Sequence, residues 1–263
     1  MPRAGKKRRA TESESEPGTA AAAATPQPQQ PGKKRRRRRE PGATVELAPR
    51  ALRAAPRVVP RAFYVRSDAV AIAREMLGKV LCARGDDGVV SRGVIVETEA
   101  YTGLDDMACH SARFGRTKRT QSMYRPGGGT YVYTCHTQHL FNVIIGDEEL
   151  PAGVLVRAVE PLSPIDLMLG RRNLDRLLPA RLAAGPGMLT KALGIDKRFG
   201  DLDLCAGAES ESDVGVWLED VGIDLADSGV LASPRVGIDY AGEAKHYPYR
   251  FRVRQSQWTS RAK

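Results

Sequence analysis

Cysteine and long apolar runs are both scarce in this 263-residue chain. Four cysteines, at positions 82, 109, 135 and 205, are too few for the disulfide framework of a secreted protein, so we expect a reducing compartment. No apolar run approaches the ~18 residues that a membrane-spanning helix requires. No apolar segment follows the first basic residues, as it would in a signal peptide. These observations predict a soluble intracellular protein without membrane association.

Excess basic charge is missing from most of the chain. The formal net charge is +10, but residues 1–61 hold 16 Lys and Arg against 5 Asp and Glu, which leaves 25 basic and 26 acidic residues for positions 62–263. Large apolar residues are rare in the basic N-terminal segment, so burial of apolar surface cannot offset the entropy lost when that segment becomes ordered. We expect residues 1–57 to be a disordered basic tail.

The tail carries two basic clusters, at residues 6–9 and 33–39. Such clusters are typical of nuclear-import signals and of nonspecific nucleic-acid arms, although a tail that only maintains solubility has the same composition. We expect a nuclear location if the source is eukaryotic, and otherwise the cytoplasm or nucleoid.

Beyond the tail the pattern becomes that of a folded α+β protein. Strands are predicted at 79–84, 89–101, 131–135, 140–145, 154–159, 214–218, 235–240 and 249–254, and helices at 67–77, after Ser163-Pro164 and at 187–193. Ser67 is the expected cap of the first helix. Because the strands cluster as hairpins and do not alternate strictly with helices, we expect a largely antiparallel sheet.

The strand that ends at Tyr101 carries an unusual acidic face. Alternation places Glu97, Glu99 and Tyr101 on the same side of this strand. Carboxylates at the end of an apolar strand are costly to desolvate, so their presence there indicates a partner or a function. Two interpretations stay open for Glu97: an ion pair with a basic neighbour, or an acid and base pair with Glu99 of the kind that hydrolyses glycosides.

A long polar loop follows, from residue 102 to 129. Five cations lie in a stretch of this loop that contains no acidic residue: Arg113, Arg116, Lys118, Arg119 and Arg125. Phosphate contacts dominate the affinity of proteins for DNA, so the loop is a candidate phosphate-binding surface. A merely solvated loop has the same composition.

Several motifs, taken in order, resemble one family. They are Gly93 through Tyr101, Ala108-Cys109-His110-Ser111, Gly115-Arg116-Thr117, Tyr131-Val132-Tyr133, Phe141-Asn142, Val154 through Leu162 and Arg235-Val236-Gly237. Together they resemble the alkyladenine (3-methyladenine or N-methylpurine) DNA glycosylase family over about residues 58–256. The resemblance implies one α+β domain at 58–258, with a curved, largely antiparallel sheet, a protruding β-hairpin and surrounding helices. Residues 259–263 are then a C-terminal tail.

The resemblance also implies an activity and the residues that perform it. Family members flip damaged purines such as 3-methyladenine, 7-methylguanine, ethenoadenine and hypoxanthine out of double-stranded DNA and hydrolyse the glycosidic bond. Glu99 is the implied general base, with Arg157 near the water. The implied substrate-binding residues are Tyr101, His110, Tyr133, Asn142 and Leu155, and the implied DNA-binding residues are Arg116, Lys118, Arg119, His136 and Gln138.

Neither a cofactor nor a metal is implied, and we expect a monomer. No lysine stands in the matched segments, so we expect a monofunctional enzyme without a Schiff base. A zinc site built from Cys109, His110, Cys135, His136 and His139 is disfavoured because the ligand spacings are not those of zinc sites.

The chain departs from the family pattern at the tip of the predicted hairpin. Family members carry a wedging tyrosine there, whereas this chain reads Thr134-Cys135-His136-Thr137-Gln138-His139 and is one residue shorter. His136 and Gln138 are the candidate replacements.

Two other functions stay open: a noncatalytic nucleic-acid binder on the same fold, and a hydrolase of free nucleosides or other glycosides. Tyr101 and Tyr133 also suit strand surfaces, and Asn142 suits a turn cap.

Overall fold

The computed structural model describes residues 44–209 and 212–261, so both basic clusters of the tail lie outside the described residues. Its strands are β1 (Arg57–Val58), β2 (Val80–Arg84), β3 (Val90–Tyr101), β4 (Thr130–Cys135), β5 (Gln138–Ile145), β6 (Ala152–Ser163), β7 (Gly215–Asp220), β8 (Val230–Ser233) and β9 (Arg250–Val253). Its α-helices are α1 (Ala48–Ala51), α2 (Arg61–Tyr64), α3 (Ala69–Glu75), α4 (His110–Phe114), α5 (Ile165–Arg172), α6 (Pro179–Leu182) and α7 (Pro186–Leu193). Short 3₁₀ turns lie at Gln121–Tyr124, Lys197–Phe199, Leu204–Glu209, Asp227–Gly229 and Gly242–His246.

The described strands form one antiparallel sheet. Its order is β1-β7-β2-β3-β6-β5-β4, and β9 pairs with β3 and β8 beside this path. The first half of β3 pairs with β2, and its second half pairs with β9. The long strands β3 and β6 lie side by side at the centre and are buried along almost their whole length. The α+β class with a largely antiparallel sheet is confirmed.

The first of the predicted helices begins one residue later than expected. Asp68 caps α3, because its side chain accepts a hydrogen bond from the backbone N–H of Ala71 at 2.9 Å. Aspartate satisfies an orphan amide at a helix start as well as serine does. Ile72 and Ala73 of α3 are fully buried, and the carbonyl of Ala73 accepts from the hydroxyl of Thr98 on β3 at 2.7 Å. The helix therefore covers the face of β3 opposite to Glu97 and Glu99.

The pairing of β3 with β6 is interrupted by bulges. Ile95 pairs with Val159 and Glu97 with Ala158, while Thr98 pairs with Val156, so Val96 and Arg157 have no direct partner. A bulge re-aims side chains and is frequent beside active sites. Here it allows Arg157 to reach the acidic face of β3.

Both ends of the domain extend further than predicted. Residues 44–57 were assigned to the tail, yet Leu47 is fully buried and the backbone N–H groups of Leu47 and Ala48 donate to the carboxylate of Glu160 at 2.9 and 3.0 Å. At the other end, Ser260 was assigned to a C-terminal tail but is buried against Glu97. In both cases long-range hydrogen bonds, which the local composition does not reveal, hold the segment.

Two further predictions of secondary structure were wrong. Residues 235–240 do not form a strand, since Arg235 and Val236 bond to side chains of other segments and Gly237 has a φ of +73°. The polar loop at 102–129 contains α4 and a 3₁₀ turn.

No helix among the described residues has both the length and the apolar character needed to cross a bilayer.

Candidate active site

One row of side chains crosses four strands of the sheet. Tyr131 on β4 lies opposite Asn142 on β5, Asn142 opposite Leu155 on β6, and Leu155 opposite Glu99 on β3. Directly opposed residues of antiparallel strands project to the same face. The register therefore brings together four residues that are scattered over positions 99 to 155, and a pocket of about 510 Å³ opens on this face.

Glu99 lies immediately behind the wall of this pocket. Its side chain has no exposed surface, and its Oε2 accepts from the hydroxyl of Tyr101 at 2.9 Å. Its Oε1 accepts from the backbone N–H of Val236 at 2.8 Å and lies 3.2 Å from Nη1 of Arg157. Tyr101, Arg157 and Val236 all line the pocket. The carboxylate is thus one contact away from the cavity, and each of these three neighbours is a donor.

Glu97 is held in a different way. Its Oε1 accepts from Nε of Arg157, from Nε of Arg250 and from the hydroxyl of Ser260, each at 2.8 Å. Its Oε2 accepts from the backbone N–H of Ser260 at 2.6 Å. Burial by itself raises the pKa of Glu97, but the two guanidinium groups outweigh it, so the pKa lies below its ordinary value. The ion-pair interpretation of Glu97 is confirmed. A carboxylate held in this way is unsuited to act as a general acid.

Aromatic rings form the side of the pocket towards α4. The rings of His110 and Tyr133 lie 4.5 Å apart at 63°, and Tyr131 stacks on Tyr133 at 5.5 Å. Nδ1 of His110 is hydrogen-bonded to the hydroxyl of Tyr131 at 3.0 Å. Burial, and then repulsion from Arg119 and Arg113, lowers the pKa of His110 to about 4. The imidazole is therefore neutral at pH 7.

Tyr101 is supported from behind by a buried ion pair. Arg235 donates to both carboxylate oxygens of Asp106, at 2.5 and 2.7 Å, and its guanidinium lies 4.7 Å from the centre of the Tyr101 ring. The same arginine donates to the backbone carbonyl of Ala100 at 2.8 Å. Burial raises the pKa of Tyr101 well above its ordinary value, and the neighbouring Glu99 adds to this. Tyr101 therefore stays protonated and donates to Glu99.

Most of the residues predicted from the sequence lie at this pocket. Those that line it are Tyr101, His110, Arg119, Tyr133, His136, Asn142, Leu155 and Arg157. Arg116 and Lys118 are exposed and do not line it, and Arg116 is 3.4 Å from Glu149. Gln138 turns towards α7, where a Cβ on Gly187 would come within 2.5 Å of its Oε1.

The hairpin tip is a two-residue turn. Cys135 pairs with Gln138, and His136 and Thr137 between them have positive φ angles of 45° and 65°. A β-branched residue with positive φ is uncommon and strained. The four-residue tip predicted at 136–139 was therefore too long, because β5 already begins at Gln138.

Several residues at the site were not predicted from the sequence to be functional. Tyr131 supports His110, Val236 donates to Glu99, and Asp106 with Arg235 supports Tyr101. Alternation could have identified Tyr131, because it shares a strand face with Tyr133. No local pattern distinguishes Asp106 from its neighbour Asp105 in the polar loop.

Cysteine and histidine side chains meet at the pocket without forming a metal site. Cys109, His110 and Cys135 are all among the lining residues, and the Sγ of Cys109 lies 3.0 Å from the hydroxyl of Ser111. Within the described part of the chain, no group of three or more His, Cys, Asp or Glu side chains is arranged to hold a metal ion.

The pocket suits a flat ring attached to an anionic backbone, which is the kind of ligand that an enzyme acting on DNA bases takes. A family model described as methylpurine-DNA glycosylase (MPG) matches residues 62–257. The chain belongs to this family and is a DNA glycosylase, an enzyme of DNA repair. The match begins after the two basic clusters of the tail.

Individual relatives agree with the family match. A putative 3-methyladenine DNA glycosylase of Bacillus subtilis is 38% identical over 208 residues, which cover 77% of this chain and 96% of that protein. A probable DNA-3-methyladenine glycosylase of Encephalitozoon cuniculi is 41% identical over 190 residues, covering 72% and 86%. A putative 3-methyladenine DNA glycosylase of Bdellovibrio bacteriovorus is 38% identical over 205 residues, covering 78% and 99%.

Proposed function

We propose that the enzyme flips alkylated or deaminated purine nucleotides from double-stranded DNA into the pocket and hydrolyses the N-glycosidic bond to initiate base-excision repair. Its substrates are 3-methyladenine, 7-methylguanine, ethenoadenine and hypoxanthine. The names of the relatives support the first of these, since each is described as acting on 3-methyladenine.

In the proposed reaction Glu99 deprotonates a water molecule that attacks C1′ of the flipped nucleotide. The bond from C1′ to the base nitrogen breaks, its electron pair leaves with the base, and the proton of the water passes to Glu99. Arg157, which contacts Glu99 and lines the pocket, orients the same water. The observation that carries the proposal is the complete burial of Glu99 directly behind the aromatic pocket.

The contacts of Glu97 favour this mechanism over a pair of carboxylates acting as acid and base. Arg157 and Arg250 both form ion pairs with Glu97, and the pKa of Glu97 is lowered. A general acid needs a raised pKa in order to hold a proton at neutral pH. Glu99 therefore acts as the only carboxylate base, and Glu97 is a positioning residue for Arg157.

The walls of the pocket suit purines that carry positive charge. Tyr101 and Tyr133 stack on the flipped base, and His110 contacts its edge without repelling a cation because the imidazole is neutral. Asn142 forms the floor, with its Nδ2 donating to the carbonyl of Tyr131 at 3.1 Å, and it disfavours the exocyclic amino group of normal guanine. Leu155 packs between Asn142 and Glu99.

The remaining parts of the proposal concern products and partners. No lysine lies among the residues that line the pocket, so the enzyme leaves an abasic site without a Schiff base. It acts as a monomer and needs no cofactor. Arg116, Lys118, Arg119, His136 and Gln138 contact the DNA. The basic clusters of the tail direct the protein to a eukaryotic nucleus, or tether it to DNA in a bacterial cytoplasm or nucleoid.

Excision assays test the proposal. Duplexes with a single ethenoadenine, hypoxanthine or 7-methylguanine are incubated with protein, and abasic sites are cleaved with hot alkali. The wild type is compared with Glu99→Gln and with Glu75→Gln, whose side chain is 45% exposed and pairs with Arg66. We expect cleavage by the wild type and the Glu75 variant and a deep loss in the Glu99 variant. Equal background from all three proteins on every lesion would contradict the proposal.

The strained hairpin tip favours one alternative, a nucleic-acid binder that has lost efficient flipping. His136 and Thr137 are poorer plugs for a vacated base stack than the apolar wedges of groove-binding proteins. This alternative predicts tight binding to lesion duplexes without release of base by any of the three proteins.

A further inference from the structure

Five side chains at the pocket mouth form a continuous stack in which aromatic rings and guanidinium groups alternate. Its order is Tyr240, Arg113, Phe114, Arg119 and Tyr133, and we call it the rim stack. The Arg113 guanidinium lies 4.3 Å from the Tyr240 ring centre and 5.1 Å from that of Phe114. The Arg119 guanidinium lies 5.5 Å from Phe114 and 5.8 Å from Tyr133. All five residues line the pocket.

Ion pairing with carboxylates distinguishes these arginines from two other arginines of the same loop. Arg116 lies 3.4 Å from Glu149, and Arg125 lies 3.3 Å from Asp201. Among the residues that the structure describes, neither Arg113 nor Arg119 forms an ion pair with a carboxylate, and both are exposed. The rim stack therefore presents two cations that are not neutralised, at the entrance to the site.

The aromatic rings restrict where these cations can move. A guanidinium in contact with a ring face has fewer accessible rotamers, and its N–H groups can still bind phosphate oxygens in pairs. Phe114 is 40% exposed and Tyr240 is 49% exposed, so covering their faces also removes apolar surface from water. An arginine held in this way loses less side-chain entropy when it binds an anion.

We propose that the rim stack is a preorganised phosphate clamp, in which Arg113 and Arg119 bind the phosphates that flank the flipped nucleotide. Arg113 thereby becomes a DNA-binding residue, and Phe114, shared by both guanidinium groups, becomes its positioning residue. This inference rests on the proposed function, since it takes the ligand of the pocket to be a nucleotide within a DNA strand. The lowered pKa of His110, caused in part by the same two arginines, agrees with two cations facing the pocket.

Salt-dependent binding tests the clamp without requiring catalysis. Affinity for a short duplex that carries a tetrahydrofuran abasic analogue is measured by fluorescence anisotropy between about 50 and 200 mM NaCl. The slope of log affinity against log salt is negative, and loss of one phosphate contact reduces its magnitude by about 0.9. We expect Arg113→Gln to reduce the magnitude of the slope by that amount and to weaken binding about tenfold at the lower salt concentration.

Two further variants complete the test. Phe114→Leu keeps both charges, so its slope equals that of the wild type while affinity falls roughly 2- to 5-fold. Arg53→Gln is the matched control, because Arg53 is exposed and does not line the pocket. A wild-type slope in Arg113→Gln, or an equal loss of slope in Arg53→Gln, would overturn the clamp. Failure to excise any lesion would instead overturn the proposed function, and it would leave these slopes interpretable.

Discussion

Arg157 donates through Nε to Oε1 of Glu97 over 2.8 Å, and neither side chain is more than 6% exposed. The same guanidinium reaches Glu99 through Nη1 at 3.2 Å. Arg157 therefore joins a carboxylate that is fully engaged by cations to the carboxylate that we assign to catalysis. The bulge in β6 makes this geometry possible, because it frees Arg157 from direct cross-strand pairing.

Replacing Glu97 with Gln is expected to destabilise the fold. The substitution removes the carboxylate that Arg250 and Nε of Arg157 share, while Arg157 keeps its contact with Glu99. Removing one partner of a buried pair typically costs about 3–5 kcal/mol. Urea unfolding at pH 7 measures the free energy of unfolding. Glu75→Gln breaks an exposed pair and is expected to cost less than about 1 kcal/mol. Equal losses in the two variants would contradict the importance of the Glu97 cluster.

The contribution of Glu97 should depend on pH in one direction only. Its pKa in the folded state is lowered from the ordinary value of 4.5, so its stabilising effect is complete above that value and is lost as the pH falls through the folded pKa. The difference in free energy of unfolding between the wild type and Glu97→Gln is therefore flat from pH 6 to 8. It shrinks below about pH 4.5. A difference that grows on acidification would contradict this assignment.

Truncation of the C-terminus tests the role of Ser260. A chain that ends at Trp258 loses the backbone and hydroxyl donors of Ser260 to Glu97, and hydrogen bonds to charged groups contribute about 1.5–3 kcal/mol each. We expect a lower midpoint of urea unfolding for this truncation. A chain that ends at Arg261, which is exposed, retains both donors and is expected to match the full-length protein. A full-length midpoint in both truncations would show that the serine is dispensable.

The imidazole of His110 is expected to titrate well below neutrality. An NMR titration of its Cε1–H resonance should give a pKa of about 4, because burial and then the charges of Arg119 and Arg113 disfavour the imidazolium. Arg119→Gln removes one repulsive charge and should raise this pKa. A value at or above the ordinary 6.5 in the wild type would contradict a neutral imidazole at the pocket.

The acidic face of β3 could be predicted from the sequence because strand alternation is a local property. Glu97, Glu99 and Tyr101 share a face as the two-residue period requires. The partners of Glu97 could not be predicted in this way, since Arg250 and Ser260 lie 153 and 163 residues away along the chain. Only the tertiary fold brings them together, which is why Ser260 was assigned to a tail.

Local patterns also failed where the backbone departs from regular structure. The segment at 235–240 has the apolar alternation of a strand, but Arg235 is bound by Asp106 and Val236 by Glu99. The hairpin turn closes on His136 and Thr137 with positive φ, although neither residue type signals such a turn. The rim stack was not predicted, because three separate segments contribute to it.

The most direct test of the account is the rate of the chemical step in Glu99→Gln. Single-turnover excision of ethenoadenine, with protein in excess over duplex, is compared with binding of the same protein to the abasic-analogue duplex. We expect excision to slow by about 10²–10⁴-fold while binding stays within a few-fold of wild type. Excision at the wild-type rate would show that a group other than Glu99 activates the water.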